Sequence, residues 1–387
     1  MGAIVPGGLS LPCQVRPRRR RRPAILGRPP DPQPEEFIVT ESAGRRFDDA
    51  TEALRHGLRT GERQYPFVLL DGAPLSGVTR SMYEAVRRHP DALLIHTWTA
   101  LDVAAAVNSP AALTDFDERL DPTQPSLIWL DDLSPADLLL LTPGVLDAVS
   151  HRALIIASIN TSWVDRILAD RSPVTANGRV VLLEYAARVT VSFELEHHVR
   201  KQLSAQRPDL DFSTSVGEAF VGGNVLLQRY KSAGAAAADG RMLVEAASDA
   251  RRAGLHRGVR ETELKNLLPR SSVAPRGQRR FASALEWATL APAGASSGIL
   301  FSGKEKDTWQ VMSYVAAADD GSRGNPTRPI YDQTWDAIIT TVPAADALQV
   351  GVSAHLRGRA DVAEKAFRRA AGADHPVVAA RAAAFLT

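Results

Sequence analysis

Three short segments carry residues whose types and spacing suit chemistry on a phosphate group. The first is Gly72-Ala-Pro-Leu-Ser-Gly-Val-Thr-Arg80, which follows an apolar run beginning at Tyr65 and leads into a helical pattern through Arg88. Gly72 and Gly77 have no Cβ, so the backbone can wrap closely around an anion, with successive N–H groups and a helix N-terminus facing it. Pro74 and Ser76 lie inside this loop, and the Thr79 hydroxyl suits a magnesium shell. The spacing is that of the phosphate-binding loop G-x-x-x-x-G-K-[ST], except that Val78 stands where lysine belongs. Arg80 is no ready replacement, since it sits about 200° around the helix axis from Val78.

The second segment, Ser126-Leu-Ile-Trp-Leu-Asp-Asp132, is an apolar strand ending in paired acids. In the Walker B form the first carboxylate, Asp131, supports magnesium and the second, Asp132, polarises the attacking water. A plainer reading makes the acids an exposed turn that caps the helix opened by Leu133-Ser-Pro. The third segment, Ala153 to Asn160, is a buried strand whose terminal Asn160 can touch a γ-phosphate or the water. The expected ligand set is therefore Gly72, Pro74, Ser76, Gly77, Val78, Thr79 and Arg80 for nucleotide and Thr79 with Asp131 for metal. Asp132 and Asn160 are the expected catalytic pair, and ATP or GTP with Mg2+ the expected cofactors.

These residues need a frame that brings strand ends together. Phe37 to Thr40 reads as a short strand and Phe47 to Leu58 as a helix. Apolar runs at Tyr65–Gly72, Asp91–His96, Ser126–Asp132, Ala153–Asn160 and Arg188–Phe193 alternate with helical patterns. That alternation predicts an α/β domain over residues 37–193 with a five-stranded parallel sheet, whose ligands bind at the carboxyl ends of its strands. Thr79, Asp131, Asp132 and Asn160 all fall at that end.

Composition narrows the remaining classes. The chain has 387 residues, 44% hydrophobic and 23% charged, enough apolar material for a core in two or three domains. Its single cysteine, Cys13, rules out a disulfide framework and points to a reducing, cytoplasmic setting. No apolar stretch approaches the roughly 20 residues that span a bilayer. Seven arginines and no acid fall within residues 1–30; without those seven the chain has 39 basic against 44 acidic residues, a net charge of −5. The body thus offers no bulk positive field for nucleic acid. Residues 1–36, rich in Pro, Gly and Arg, read as a disordered tail, and no apolar stretch follows the arginines to make an export signal.

With its glycine loop and Leu127-Ile-Trp-Leu-Asp-Asp132, the chain resembles the P-loop NTPases of STAND and AAA+ type found in actinobacteria and fused to tetratricopeptide-like repeats. Later segments share the resemblance: Ser215-Val-Gly-Glu-Ala-Phe-Val-Gly-Gly223, Asp249-Ala-Arg-Arg-Ala-Gly-Leu255 and Tyr314-Val-Ala-Ala-Ala-Asp-Asp-Gly321. It implies an ATP-dependent regulatory or scaffolding switch, and Val78 departs from it in a way that impairs hydrolysis. Residues 194–332 read as helices over Glu194–Gln206, Val216–Ala233, Arg241–Ala253, Glu261–Leu268 and Phe281–Leu290, with short strands at Phe301 and Trp309–Ala316. This resembles a winged-helix module. Arg251 and Arg252 read as a solvated helix face rather than sensor arginines, and adjacent His197 and His198 point apart and make a poor metal pair. Residues 333–387 fit a tetratricopeptide-like repeat: Ala347, Val350, Gly351 and Ala354 on one helix face Ala363, Phe367 and Ala370 on the next.

Three functions compete on these grounds. A nucleotide-controlled switch, engaging a protein partner or further copies of itself through the helical repeat, is favoured by Asp131 and Asp132. A scaffold that has lost useful hydrolysis is favoured by Val78. A DNA-binding regulator rests on the arginine tail and winged-helix segment alone, and the acidic body opposes it.

Overall fold

The computed structural model describes residues 41–60, 67–90, 92–95, 98–109, 111, 113, 114, 117, 125–268, 277–303 and 305–387. The arginine-rich segment 1–36 and the strand expected at Phe37–Thr40 lie outside them. The described residues form two compact units: residues 41–72 with Val78–Val191, and Ala73–Gly77 with Ser192–Thr387.

In the first unit α1 (Glu41–Thr60) precedes β1 (Phe67–Gly72) and α2 (Val78–Arg87). There follow β2 (Leu93–Ile95), α3 (Ala100–Asn108), β3 (Ser126–Leu133), α4 (Pro135–Leu140) and α5 (Pro143–Ser150). The unit closes with β4 (Leu154–Asn160), α6 (Thr161–Ala169), α7 (Ala176–Val180), one π-helical turn and β5 (Ala186–Val191). The strands make one parallel sheet in the order β2-β3-β4-β1-β5. This is the expected α/β P-loop arrangement. Every residue of β1 is buried, as near-continuous apolar runs in a sheet covered on both faces require. Val68 and Leu70 point to one face, where α1 and α2 cover them with Phe47, Leu54, Met82 and Val86.

Local chemistry sets the helix starts. Ser134 caps α4 in a reciprocal box with Asp137, and Asn160 caps α6 by accepting the Ser162 N–H. The cap expected from Asp131 or Asp132 is therefore supplied by Ser134 instead, because the hydroxyl sits immediately before Pro135 and both acids lie upstream on β3.

The second unit is mainly helical. It runs α8 (His197–Gln206), α9 (Val216–Val221), α10 (Gly223–Lys231) and α11 (Ala238–Arg252), then β6 (Val259–Arg260), α12 (Glu261–Leu267) and α13 (Gln278–Thr289). β7 (Leu300–Ser302), β8 (Thr308–Val311) and α14 (Ser313–Asp319) follow, and α15 (Asp332–Thr341), α16 (Ala347–Leu356), α17 (Ala360–Ala371) and α18 (Pro376–Ala384) complete the chain. From α11 to β8 the order is helix, strand, helix, helix, strand, strand, with an antiparallel sheet β6-β8-β7, the winged-helix-like pattern. Gly351 of α16 sits so close to Phe367 of α17 that an added Cβ would lie 2.4 Å from its ring, so the glycine is what lets the two helices meet.

Three expectations change here. The single helix over Val216–Ala233 is two, because Gly222 takes a left-handed φ of 73° and breaks it. The strand expected over Trp309–Ala316 stops at Val311, and Ser313–Asp319 turns helical to bury Tyr314 and Val315. Arg252 is not on a solvated face. It is 3% exposed, bonding Asp249 at 2.9 Å and Asp320 at 2.6 Å.

That arginine belongs to a buried ionic network. Arg328 bonds both Asp249 and Asp319 at 2.7–2.8 Å, and Arg357, immediately after α16, grips Asp320 with two guanidinium nitrogens. Burial pushes the Asp249 carboxyl above the usual range, whereas at Asp320 burial is outweighed by Arg357 and Arg252, which hold it below.

Candidate functional site at the carboxyl edge of the sheet

The geometry begins with a defect in the sheet. Between Leu130, which pairs with Ala157, and Leu133, which pairs with Ile159, two residues of β3 oppose a single residue of β4. The two are Asp131 and Asp132, and the one is Ser158. Such a bulge bends the strand and re-aims its side chains. Asp132 takes a left-handed φ of 60°, a conformation aspartate tolerates better than most residues. Both acids are exposed at the strand end.

One hydroxyl joins the two acids. The Asp132 N–H donates to Ser158 Oγ at 2.7 Å, and Ser158 Oγ donates to Asp131 Oδ1 at 2.6 Å. Thr79, in the first turn of α2, donates its Oγ1 proton to the same Asp131 oxygen at 3.0 Å. The structure thus brings together Thr79, Asp131 and Asp132 across β4. Asn160 ends β4 in register with Gly72 of β1, its side-chain oxygen engaged in capping α6.

Beside them, at the end of β1, lies a group that sequence reading missed. Asp71 is fully buried, yet it accepts hydrogen bonds from Arg188 Nε at 2.6 Å and Nη2 at 3.1 Å, from Thr190 at 3.1 Å and from Thr161 at 2.9 Å. Every oxygen of this carboxylate is satisfied, which a buried charge requires. Hydrogen bonding to Asp71 raises the pKa of the Arg188 guanidinium. The carboxylate ties the ends of β1 and β5 to the start of α6. An aspartate just before a glycine loop, with an arginine in the strand expected at Arg188–Phe193, was the available signal.

Two loop candidates point elsewhere. Val78 packs against the apolar cluster under α1 and α2. Arg80 is 6% exposed, paired with Glu84 of its own helix at 2.5 Å and lying over the Tyr83 ring.

Residues Ala73–Gly77 pack with the second unit. Ser76 N–H closes a turn onto the Ala73 carbonyl at 3.0 Å, with Leu75 at φ 66° and Gly77 at φ 93°. Only Gly77 adopts its angle without a Cβ to accommodate. Ser215 Oγ donates to the Leu75 carbonyl at 2.9 Å, and a Cβ on Gly217 would lie 2.3 Å from that same oxygen. The side chain of Leu75 lies against Gly223 near Glu218 and Tyr314. Glu218 in turn accepts from Arg323 at 2.5 Å and from Tyr314 at 3.1 Å, and burial followed by the Glu218 charge pushes the tyrosine up to about 12.

The donor set fits a magnesium nucleotide in part. Asp131 and Thr79 are hard oxygen ligands, and magnesium typically takes only one or two protein ligands beside substrate phosphates. Among the described residues no group of three or more His, Cys, Asp or Glu is placed to cage a metal alone. Ser76 Oγ is buried in the loop without a hydrogen-bond partner among the described residues, a donor that an anion would satisfy. The missing charge is at position 78.

No protein-family model matches the chain, and no curated protein matches it. Among solved structures it is similar to a Signal Transduction ATPase with Numerous Domains (STAND) protein with a tetratricopeptide repeat sensor from Pyrococcus horikoshii, at 11% identity and a TM-score of 0.33. That alignment covers 92% of this chain and 53% of the other, so the chain spans about half the length of that relative. It is also similar to Cdc6p from Pyrobaculum aerophilum, at 13% identity and a TM-score of 0.27, over 78% of this chain and 94% of that one. No helix among the described residues is long and apolar enough to cross a membrane.

Proposed function

We propose that the chain is a nucleotide-binding regulatory protein of STAND/AAA+ type, binding ATP or GTP with Mg2+ weakly and turning it over very slowly or not at all. The observation that carries this reading is the Thr79–Asp131 hydrogen bond of 3.0 Å, which sets a hydroxyl and a carboxylate side by side directly after a glycine turn. Thr79 and Asp131 would hold the metal, which would supply positive charge to phosphate oxygens. Asp132, whose backbone the bulge bends, would take a proton from water. The amide nitrogen of Asn160 is the group left to donate to a phosphate.

Val78 limits this chemistry. A hydrogen bond to a charged group is worth about 1.5–3 kcal/mol, and transfer of a phosphoryl group needs positive charge already in place. The packing of the half-buried Val78 against the core favours the related reading of a scaffold in which binding persists and hydrolysis does not. In either case residues 194–332 and the repeat at 333–387 are the parts that engage a protein partner, with residues 37–193 as the nucleotide domain.

Isothermal titration of the full chain with ATP tests the reading. Binding in Mg2+ that weakens sharply in EDTA is the expected outcome, and Asp131→Asn should abolish the difference. No heat of binding in either buffer would refute it.

A further inference from the structure

The bulge at the end of β3 gives one residue outside the expected ligand set a position that governs both acids. We infer that Ser158 is the positioning residue of this site: its hydroxyl holds the Asp131 carboxylate for the metal and fixes the backbone that aims Asp132. The inference rests on the nucleotide reading above and deepens it.

Ser158 is 4% exposed and lies opposite both acids because the register slips by one residue at that row. Its oxygen does two jobs at once. As acceptor it takes the Asp132 N–H at 2.7 Å, satisfying the donor that the left-handed turn swings out of the β3–β4 ladder. As donor it gives its proton to Asp131 Oδ1 at 2.6 Å, short for a hydroxyl and in the range of a charge-assisted bond. Thr79 donates to that same oxygen. Two donors on Oδ1 fix the rotation of the carboxylate. Alanine at 158 would leave Thr79 as the only one of these two holding Oδ1 and would orphan the Asp132 N–H.

Residues that orient metal ligands typically lose roughly 10–100-fold in metal affinity when removed. The test is a Mg2+ titration of the full-length protein at fixed ATP, read by a fluorescent ATP analogue, with metal-free ATP affinity and the thermal midpoint measured alongside. Ser158→Ala should raise the Mg2+ concentration for half-maximal binding by roughly 10–100-fold. Metal-free affinity should stay within about twofold, since the glycine turn is untouched. Ser158→Thr, which keeps the hydroxyl, should return the Mg2+ midpoint close to that of the wild type. A purely structural role would instead shift the metal-free affinity and the thermal midpoint together. If Ser158→Ala leaves the Mg2+ midpoint unchanged while Asp131→Asn removes the dependence, the inference fails and the nucleotide reading stands. If neither substitution alters the dependence, Asp131 is not the metal ligand, and both fall.

Discussion

At the scale of single residues, one carboxylate oxygen gathers the candidate site: Asp131 Oδ1 accepts from both Thr79 and Ser158, and the Ser158 oxygen also accepts the Asp132 N–H. Thr79, Asp131 and Asp132 stood out in the sequence; their partners did not, for a physical reason. Ser158 matters only because a one-residue slip in strand register sets it against two acids, and register is not written in the apolar run Leu154–Ile159. Asp71 reads as the polar end of a strand until Arg188, Thr190 and Thr161 are seen around it. Arg252 shows the opposite error. On sequence it belongs to a charged helix end, but the fold closes Asp249 and Asp320 over it. Removing one partner from a buried ionic pair strands the other charges, at a cost of about 3–5 kcal/mol. Arg252→Ala should therefore lower the free energy of urea unfolding by about that amount, whereas Arg251→Ala, on the less buried neighbour, should cost far less. Equal effects would place the network's weight elsewhere.

At the scale of elements, long apolar runs announced the sheet, because burial on both faces of β1 and β4 leaves little choice of residue. Helix continuity was harder to read, since Gly222 is a small residue in a helical pattern until its left-handed φ is known. The segment Ser215–Gly223 stood out without a stated purpose, and the structure gives it one: close contact with the loop residue Leu75. Gly217 is there because a side chain would collide with a backbone oxygen that has nowhere easy to go. Forcing extra volume into such a contact costs about 1–3 kcal/mol. Gly217→Ala should displace the Ala73–Gly77 turn and weaken ATP binding while leaving the helical content of the protein unchanged by circular dichroism. Unaltered affinity would mean that the turn tolerates movement and that Ser215–Gly223 does not shape it.

At the scale of the whole molecule, the two units differ in what they offer. One is a parallel sheet whose carboxyl edge presents carboxylate and hydroxyl oxygens, and the other is a helical unit held by buried arginine–aspartate pairs. The segments Asp249–Leu255 and Tyr314–Gly321 supply Asp249, Arg252, Asp319 and Asp320 to that network, and Gly254 comes near enough to the Gln349 carbonyl that a Cβ would lie 2.5 Å from it. The central claim concerns the glycine loop itself. On the proposed reading, the turn from Gly72 to Thr79 would cradle a nucleotide phosphate and lack only the charge at Val78. Isothermal titration of Val78→Lys with Mg-ATP, beside the wild type, tests it most directly. The claim calls for affinity tighter by roughly 10- to 150-fold, the equivalent of one hydrogen bond to a charged group. A folded Val78→Lys protein that binds ATP no better than the wild type would contradict it.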